Sequence, residues 1–264
     1  MKKSFEKLMR QPLGIIIVYF LVMIIAMLLG MVIFALIGSA IYDLSFSRLL
    51  NLVSTTPDIL NTLPEVEQDA YYFMNAYLNF FDYVLIALTF IIFGSFYFTE
   101  DFKKIKQNKK VFLVSLLLGL VVVGLLFGNS MLANYLVSLV DTNTSSSVNQ
   151  NLLVNMILNG QAPIVFITVL IFAPIVEEMV FRKAIFNLLK NIHPALRIIL
   201  AGMIFAIPHM LSAESSVLVW FIYFASYSIS GILLGLVYHF SKENIYASII
   251  THALNNLLSF VLLF

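Results

Sequence analysis

Apolar runs of membrane-spanning length alternate with short polar connections along this chain, and the alternation predicts its elements. The first run covers about residues 13–41 and follows the basic start Lys2, Lys3, Lys7 and Arg10. A removable signal peptide has an apolar core of roughly 7–15 residues; this run is about twice that, which predicts a retained first span. Further runs lie at about 83–98, 111–139, from 162 through Glu177-Glu178 to about 191, 195–210, 216–240 and 245–264. The connections carry their own signals. Residues 43–82 are acidic and end in aromatics (Tyr71-Tyr72-Phe73 to Phe80-Phe81) suited to a membrane interface, so a solvated extracytoplasmic loop is expected there. Asn159-Gly160-Gln161 is a breaker after the short apolar stretch 152–158. His193-Pro194 turns the chain, because a residue before proline is pushed out of the helical region. The pattern predicts an all-α, polytopic membrane helix bundle of about seven transmembrane helices, with no internal repeat.

Composition agrees with the pattern. Of 264 residues, 61% are hydrophobic and 11% charged, and the mean hydropathy is +0.98; soluble domains contain about half apolar and a quarter charged residues. No basic patch interleaved with aromatics points to nucleic acid. The absence of cysteine excludes a disulfide framework, thiolate metal sites and a cysteine nucleophile. Charge adds orientation. With the N-terminus inside, fourteen of the fifteen Lys and Arg residues fall on one side and only Arg48 on the other. The positive-inside rule then predicts a cytoplasmic N-terminus, in a protein expected in the bacterial plasma membrane.

Ionisable residues inside apolar helices are costly and are functional candidates for that reason. Glu178 and Arg182 are four apart and share a helix face, where they can pair. Glu177 is rotated by about 100° from that face and is left as a candidate general base or acid. His209 follows Pro208 late in the fifth run, while His252 and Asn256 share a face of the seventh. A helical hairpin turning at His193-Pro194 brings Glu177 and His209 level, each roughly 24 Å from the bend at 1.5 Å per residue. The arm carrying Arg182, Lys183, Asn187 and Lys190 is expected to protrude towards the cytoplasm. Grouped in one layer, Glu177 and His209 can bind and deprotonate a water, and His252 and Asn256 can donate to an oxyanion. A divalent metal such as zinc on Glu177, His209 and His252 is chemically feasible too. Spacing does not decide between the two.

Glu177-Glu178-x-x-x-Arg182, Phe205-x-x-x-His209 and His252-x-x-x-Asn256 resemble, in order, the three motifs of the CPBP intramembrane peptidases, the CAAX protease, Abi and bacteriocin-processing family. The resemblance covers about residues 165–260, within a catalytic core expected at 161–264 after N-terminal transmembrane helices and an extracytoplasmic loop at 1–160. It implies seven or eight spans and an endopeptidase acting on a membrane-associated peptide or membrane-protein substrate, with prenylated CAAX peptides as substrates in the eukaryotic branch. It further implies water activation by Glu177 and His209, oxyanion binding by His252 and Asn256, and support from Glu178 and Arg182. In bacteria it points to peptide processing or bacteriocin self-immunity. The glutamate route requires no cofactor.

Other chemistries fit less well. There is no His-Glu-x-x-His zinc motif, no Gly-x-Gly-Asp and no Gly-x-Ser-Gly. Ser228-Ile-Ser230-Gly231 approaches the last, but small-residue helix packing accounts for it. A secondary transporter would show repeats and sites drawn from both halves, whereas the polar intramembrane residues here are expected in one half. A non-catalytic scaffold or immunity protein on the same fold is the other alternative.

Overall fold

The computed structural model describes residues 2–142, 144, 146–211 and 216–262. Its described residues form α1 (Lys2–Met9), α2 (Pro12–Tyr42), α3 (Phe46–Val53), α4 (Glu65–Phe93), α5 (Ser95–Gln107), α6 (Lys109–Ser138), α7 (Val148–Leu188), α8 (Pro194–His209), α9 (Val217–Phe240) and α10 (Ile245–Val261), with one helical turn at Pro57–Leu60. Helices α2, α4, α6, α7 and α9 are long and apolar enough to cross a membrane; α8 and α10 are apolar but shorter. The molecule is a polytopic helical membrane bundle, and its seven apolar helices correspond to the seven expected runs. Residues 263 and 264, at the end of the seventh run, lie outside the described residues. Helix α2 exposes Leu, Ile and Val along its length and α6 exposes Leu and Val, as helices do whose solvent is lipid.

The acidic stretch is where the sequence reading needs correction. Residues 65–82 are not a solvated loop but the first half of α4. Their apolar and aromatic positions recur at helical spacing, so Ala70, Phe73, Met74 and Leu78 form a core with Phe34 and Ala35 of α2 and Leu49 and Leu52 of α3. Glu65 and Glu67 occupy the first turn of α4, where negative charge complements the helix dipole. The aromatics assigned to an interface are thus largely core residues: Tyr71, Tyr72 and Phe73 are all buried.

The breaker signal holds. Asn159 (ψ 31°) and Gly160 (φ +84°) interrupt α7, and the positive φ is one that glycine tolerates without strain. The His193-Pro194 turn holds as well: α8 starts at Pro194, and His193 Nδ1 caps it by accepting from the Ala195 N–H. Helices α8 and α9 then approach so closely that a Cβ on Gly231 would lie 2.8 Å from the Gly202 Cα. This is the small-residue packing expected for the serine cluster.

The end of the bundle where α7 meets α8 is closed by ion pairs. The arm expected to protrude is partly buried instead, with Lys183 bound to Asp101 of α5 at 2.5 Å and Arg182 fully buried. Asp101 also accepts the Ile245 N–H at 2.8 Å, placing a carboxylate on the N-terminus of α10. Arg197 of α8 spans from the Phe186 carbonyl to Glu243, at 2.6 Å each. Charge burial of this kind demands a partner for every ion, and each cation here has one. The outcome is a rigid floor from which α7, α8 and α10 rise together.

Candidate active site

The three helices rising from the floor carry the candidate residues. On α7, Glu178 and Arg182 pair on one face, Arg182 Nε donating to Glu178 Oε2 at 2.8 Å, with both side chains wholly buried. One position earlier, Glu177 points off that face and lines a cavity of about 270 Å³. His209 closes α8 and His252 lies two turns into α10; the Nε2 atoms of both are 3.8 Å from Glu177 Oε2. The hairpin arithmetic is met, because Glu177 and His209 are level. At 3.8 Å the imidazoles are beyond direct hydrogen-bond range of the carboxylate. That is a separation one water oxygen can bridge.

Each ring is oriented from behind. His252 Nδ1 lies 3.2 Å from Glu178 Oε1, so the carboxylate that neutralises Arg182 also accepts the Nδ1–H and leaves Nε2 directed at Glu177. The His209 ring stacks on Tyr227, with centroids 4.6 Å apart and planes 6° from parallel, and packs against Phe205 at a centroid distance of 5.0 Å with the rings tilted by 45°. Thr251, beside His252, packs so near Gly119 of α6 that a Cβ there would lie 2.3 Å from its Oγ1.

Asn256 lines the same cavity one turn beyond His252. Its position follows from a local irregularity in α7. The Ala173 N–H reaches back five residues to the Thr168 carbonyl, a wide turn of the kind found at functional sites. The next bond of that register would join residue 174 to Val169, but Pro174 has no N–H. Asn256 Nδ2 donates to the Val169 carbonyl instead, at 2.7 Å. A carboxamide nitrogen carries two N–H donors, so this bond fixes the side chain and leaves a donor to face the cavity.

Residues 159–258 match the family model of the Rce1-like type II CAAX prenyl endopeptidases. The match agrees with the motif resemblance and contains all seven motif residues quoted above. The chain is also 31% identical over 167 residues, 61% of its length, to an uncharacterized protein of Mycoplasma capricolum subsp. capricolum, and the aligned part spans 47% of that relative. The chain thus covers about half the length of the curated relative it matches. No solved structure matches it.

One contact comes from outside the Rce1-like segment. Tyr83 of α4 donates its hydroxyl to Glu177 Oε1 at 2.8 Å. The expectation that the polar intramembrane residues lie in one half of the chain is therefore corrected: α4 packs against α7 and supplies a direct partner for Glu177. Nothing in the motif pattern marks Tyr83, because 94 residues separate it from Glu177 and its neighbourhood reads as an ordinary aromatic span. With Oε1 held by Tyr83, the free direction of Oε2 towards the two histidines is fixed. Tyr83→Phe is expected to lower kcat about tenfold with little change in KM, through loss of carboxylate orientation. A steady-state comparison with the parent on the same substrate measures it.

A metal can be weighed on the same geometry. Among the described residues, no group of three or more His, Cys, Asp or Glu side chains is arranged to hold a metal ion. The three nearest candidates remain Glu177, His209 and His252, two imidazoles facing one carboxylate oxygen.

Proposed function

We propose that the chain is an intramembrane endopeptidase that hydrolyses a peptide bond in a membrane-associated peptide or protein by a glutamate-activated water. The observation that carries this reading is the convergence of His209 and His252 on one oxygen of Glu177 inside a cavity. Water held between Glu177 and His209 attacks the scissile carbonyl carbon, and its proton passes to the Glu177 carboxylate. The oxyanion is met by His252 and the Asn256 amide. Collapse of the tetrahedral intermediate breaks the C–N bond, and Glu177 returns the proton to the leaving amine. Glu178 and Arg182 act behind the site, holding His252 and neutralising each other. The setting is the bacterial plasma membrane with the N-terminus cytoplasmic, and the biological role is peptide processing or bacteriocin self-immunity.

The test is a comparison of membrane proteomes between strains carrying the wild-type chain and Glu177→Ala at equal protein levels. Accumulation of an uncleaved precursor only in the variant supports the reading. Unchanged proteomes together with unchanged biological activity would assign the chain to the scaffold alternative.

The same reading requires no metal, since Glu177 supplies the base. Cleavage of that precursor by purified protein is expected to continue in excess chelator. Loss of turnover that zinc restores would instead place the ion on Glu177, His209 and His252.

A further inference from the structure

The cavity has a direction, and its lining has a chemistry. From the Glu177, His209 and His252 layer it follows α10 onward to Ser259, α6 onward from Leu126 to Asn134, α9 backward from Ser230 to Tyr223, and α7 backward to Gln150. Helices α6 and α10 run one way through the bundle, α7 and α9 the other, so all four tracks lead to the same end. The distance is about 10–12 Å along α6, α9 and α10 at 1.5 Å per residue. At that end Ser147, before α7, bonds Tyr227 of α9, and Asn149 and Gln150 form the rim. The opposite end is the ion-paired floor of Asp101, Lys183, Arg197 and Glu243, none of which lines the cavity.

The basic residues fix which end is which. Lys103, Lys104 and Lys106 of α5 and Lys109 and Lys110 at the start of α6 lie at the floor end with Lys190 and Lys242. By the positive-inside rule the floor is cytoplasmic and the rim extracytoplasmic. The lining adds the second constraint. Beyond the catalytic layer its described residues include no Lys, Arg, Asp or Glu, and they present the carboxamides of Asn79, Asn134, Asn149, Gln150 and Asn255. Carboxamides carry both donors and acceptors and match a peptide backbone in extended form. A lining without a cation offers no counter-charge for a free C-terminal carboxylate.

We propose that the substrate is an uncharged, extended internal segment of polypeptide presented to Glu177 from the extracytoplasmic side, its backbone held by the carboxamide-lined vestibule. This rests on the peptidase reading for what happens at Glu177, but the side of access does not.

The chain has no cysteine, so single-cysteine variants report cleanly. Asn149→Cys at the rim and Lys106→Cys at the basic end are expressed in intact cells and treated with a membrane-impermeant maleimide. Asn149→Cys is expected to label fully before lysis and Lys106→Cys only after it. The reverse pattern, or labelling of both in intact cells, overturns the proposal. The precursors that accumulate with Glu177→Ala test the substrate class: cut sites in uncharged, extracytoplasmic internal segments support it, and cytoplasmic C-terminal tails overturn it. Labelling of Asn149→Cys from outside with no precursor in the Glu177→Ala strain would reject the peptidase reading and leave the direction of access standing.

Discussion

Glu177→Gln is expected to reduce peptide hydrolysis about 10²–10⁴-fold, the contribution of a positioned general base, while the protein folds as before. The substitution keeps the shape of the side chain. It also keeps the acceptor for Tyr83, whose hydroxyl lies 2.8 Å from Oε1. Only the ability to take a proton from water is lost. His209→Ala is expected to fall in the same range, because its Nε2 faces the same oxygen. Groups that act as a unit are strongly non-additive, so the double variant should be little slower than either single one. Rates on an isolated precursor, with thermal unfolding in detergent as the control, measure both. Single variants with near-wild-type turnover would remove Glu177 and His209 from the chemistry.

Arg182→Met is expected to act on the fold as well as the site. Arg182 and Glu178 are both wholly buried and joined at 2.8 Å. Removing one partner of a buried pair leaves an uncompensated charge, a loss of about 3–5 kcal/mol. The partner left behind, Glu178, also holds His252 Nδ1, so activity should fall in whatever folded protein remains. Adding Glu178→Gln to Arg182→Met removes the stranded charge and is expected to restore much of the stability without restoring full activity, because the amide holds the imidazole less strongly than the carboxylate does. Unfolding midpoints and turnover for the two single variants and the double separate the two effects. An additive outcome would show that the pair does not act as a unit.

Much of this was legible in the residues. Hydrophobic run length determines the membrane class and the approximate span positions, since a span needs about 20 apolar residues. Helical periodicity pairs Glu178 with Arg182 and turns Glu177 away from them. The His193-Pro194 bend fixes the register between α7 and α8, because proline ends one helix and starts the next at a known residue. That is enough to place Glu177 and His209 level, and the 3.8 Å spacing agrees.

Other features were decided by tertiary packing alone. Residues 65–82 look polar in one dimension, yet as a helix they turn Ala70, Phe73, Met74 and Leu78 to a common face that α2 and α3 bury. Tyr83 reaches Glu177 only because α4 packs against α7. Lys183 and Arg182 read as a protruding basic arm, but Asp101 and Glu178 supply the counter-charges that let them be buried. Sequence spacing governs what lies on one helix or across one tight turn, where geometry is nearly fixed. Which helices become neighbours depends on the burial and charge pairing of the whole bundle, and that choice brings Glu177, His209, His252 and Asn256 into one cavity, with the ion pairs of the floor outside it.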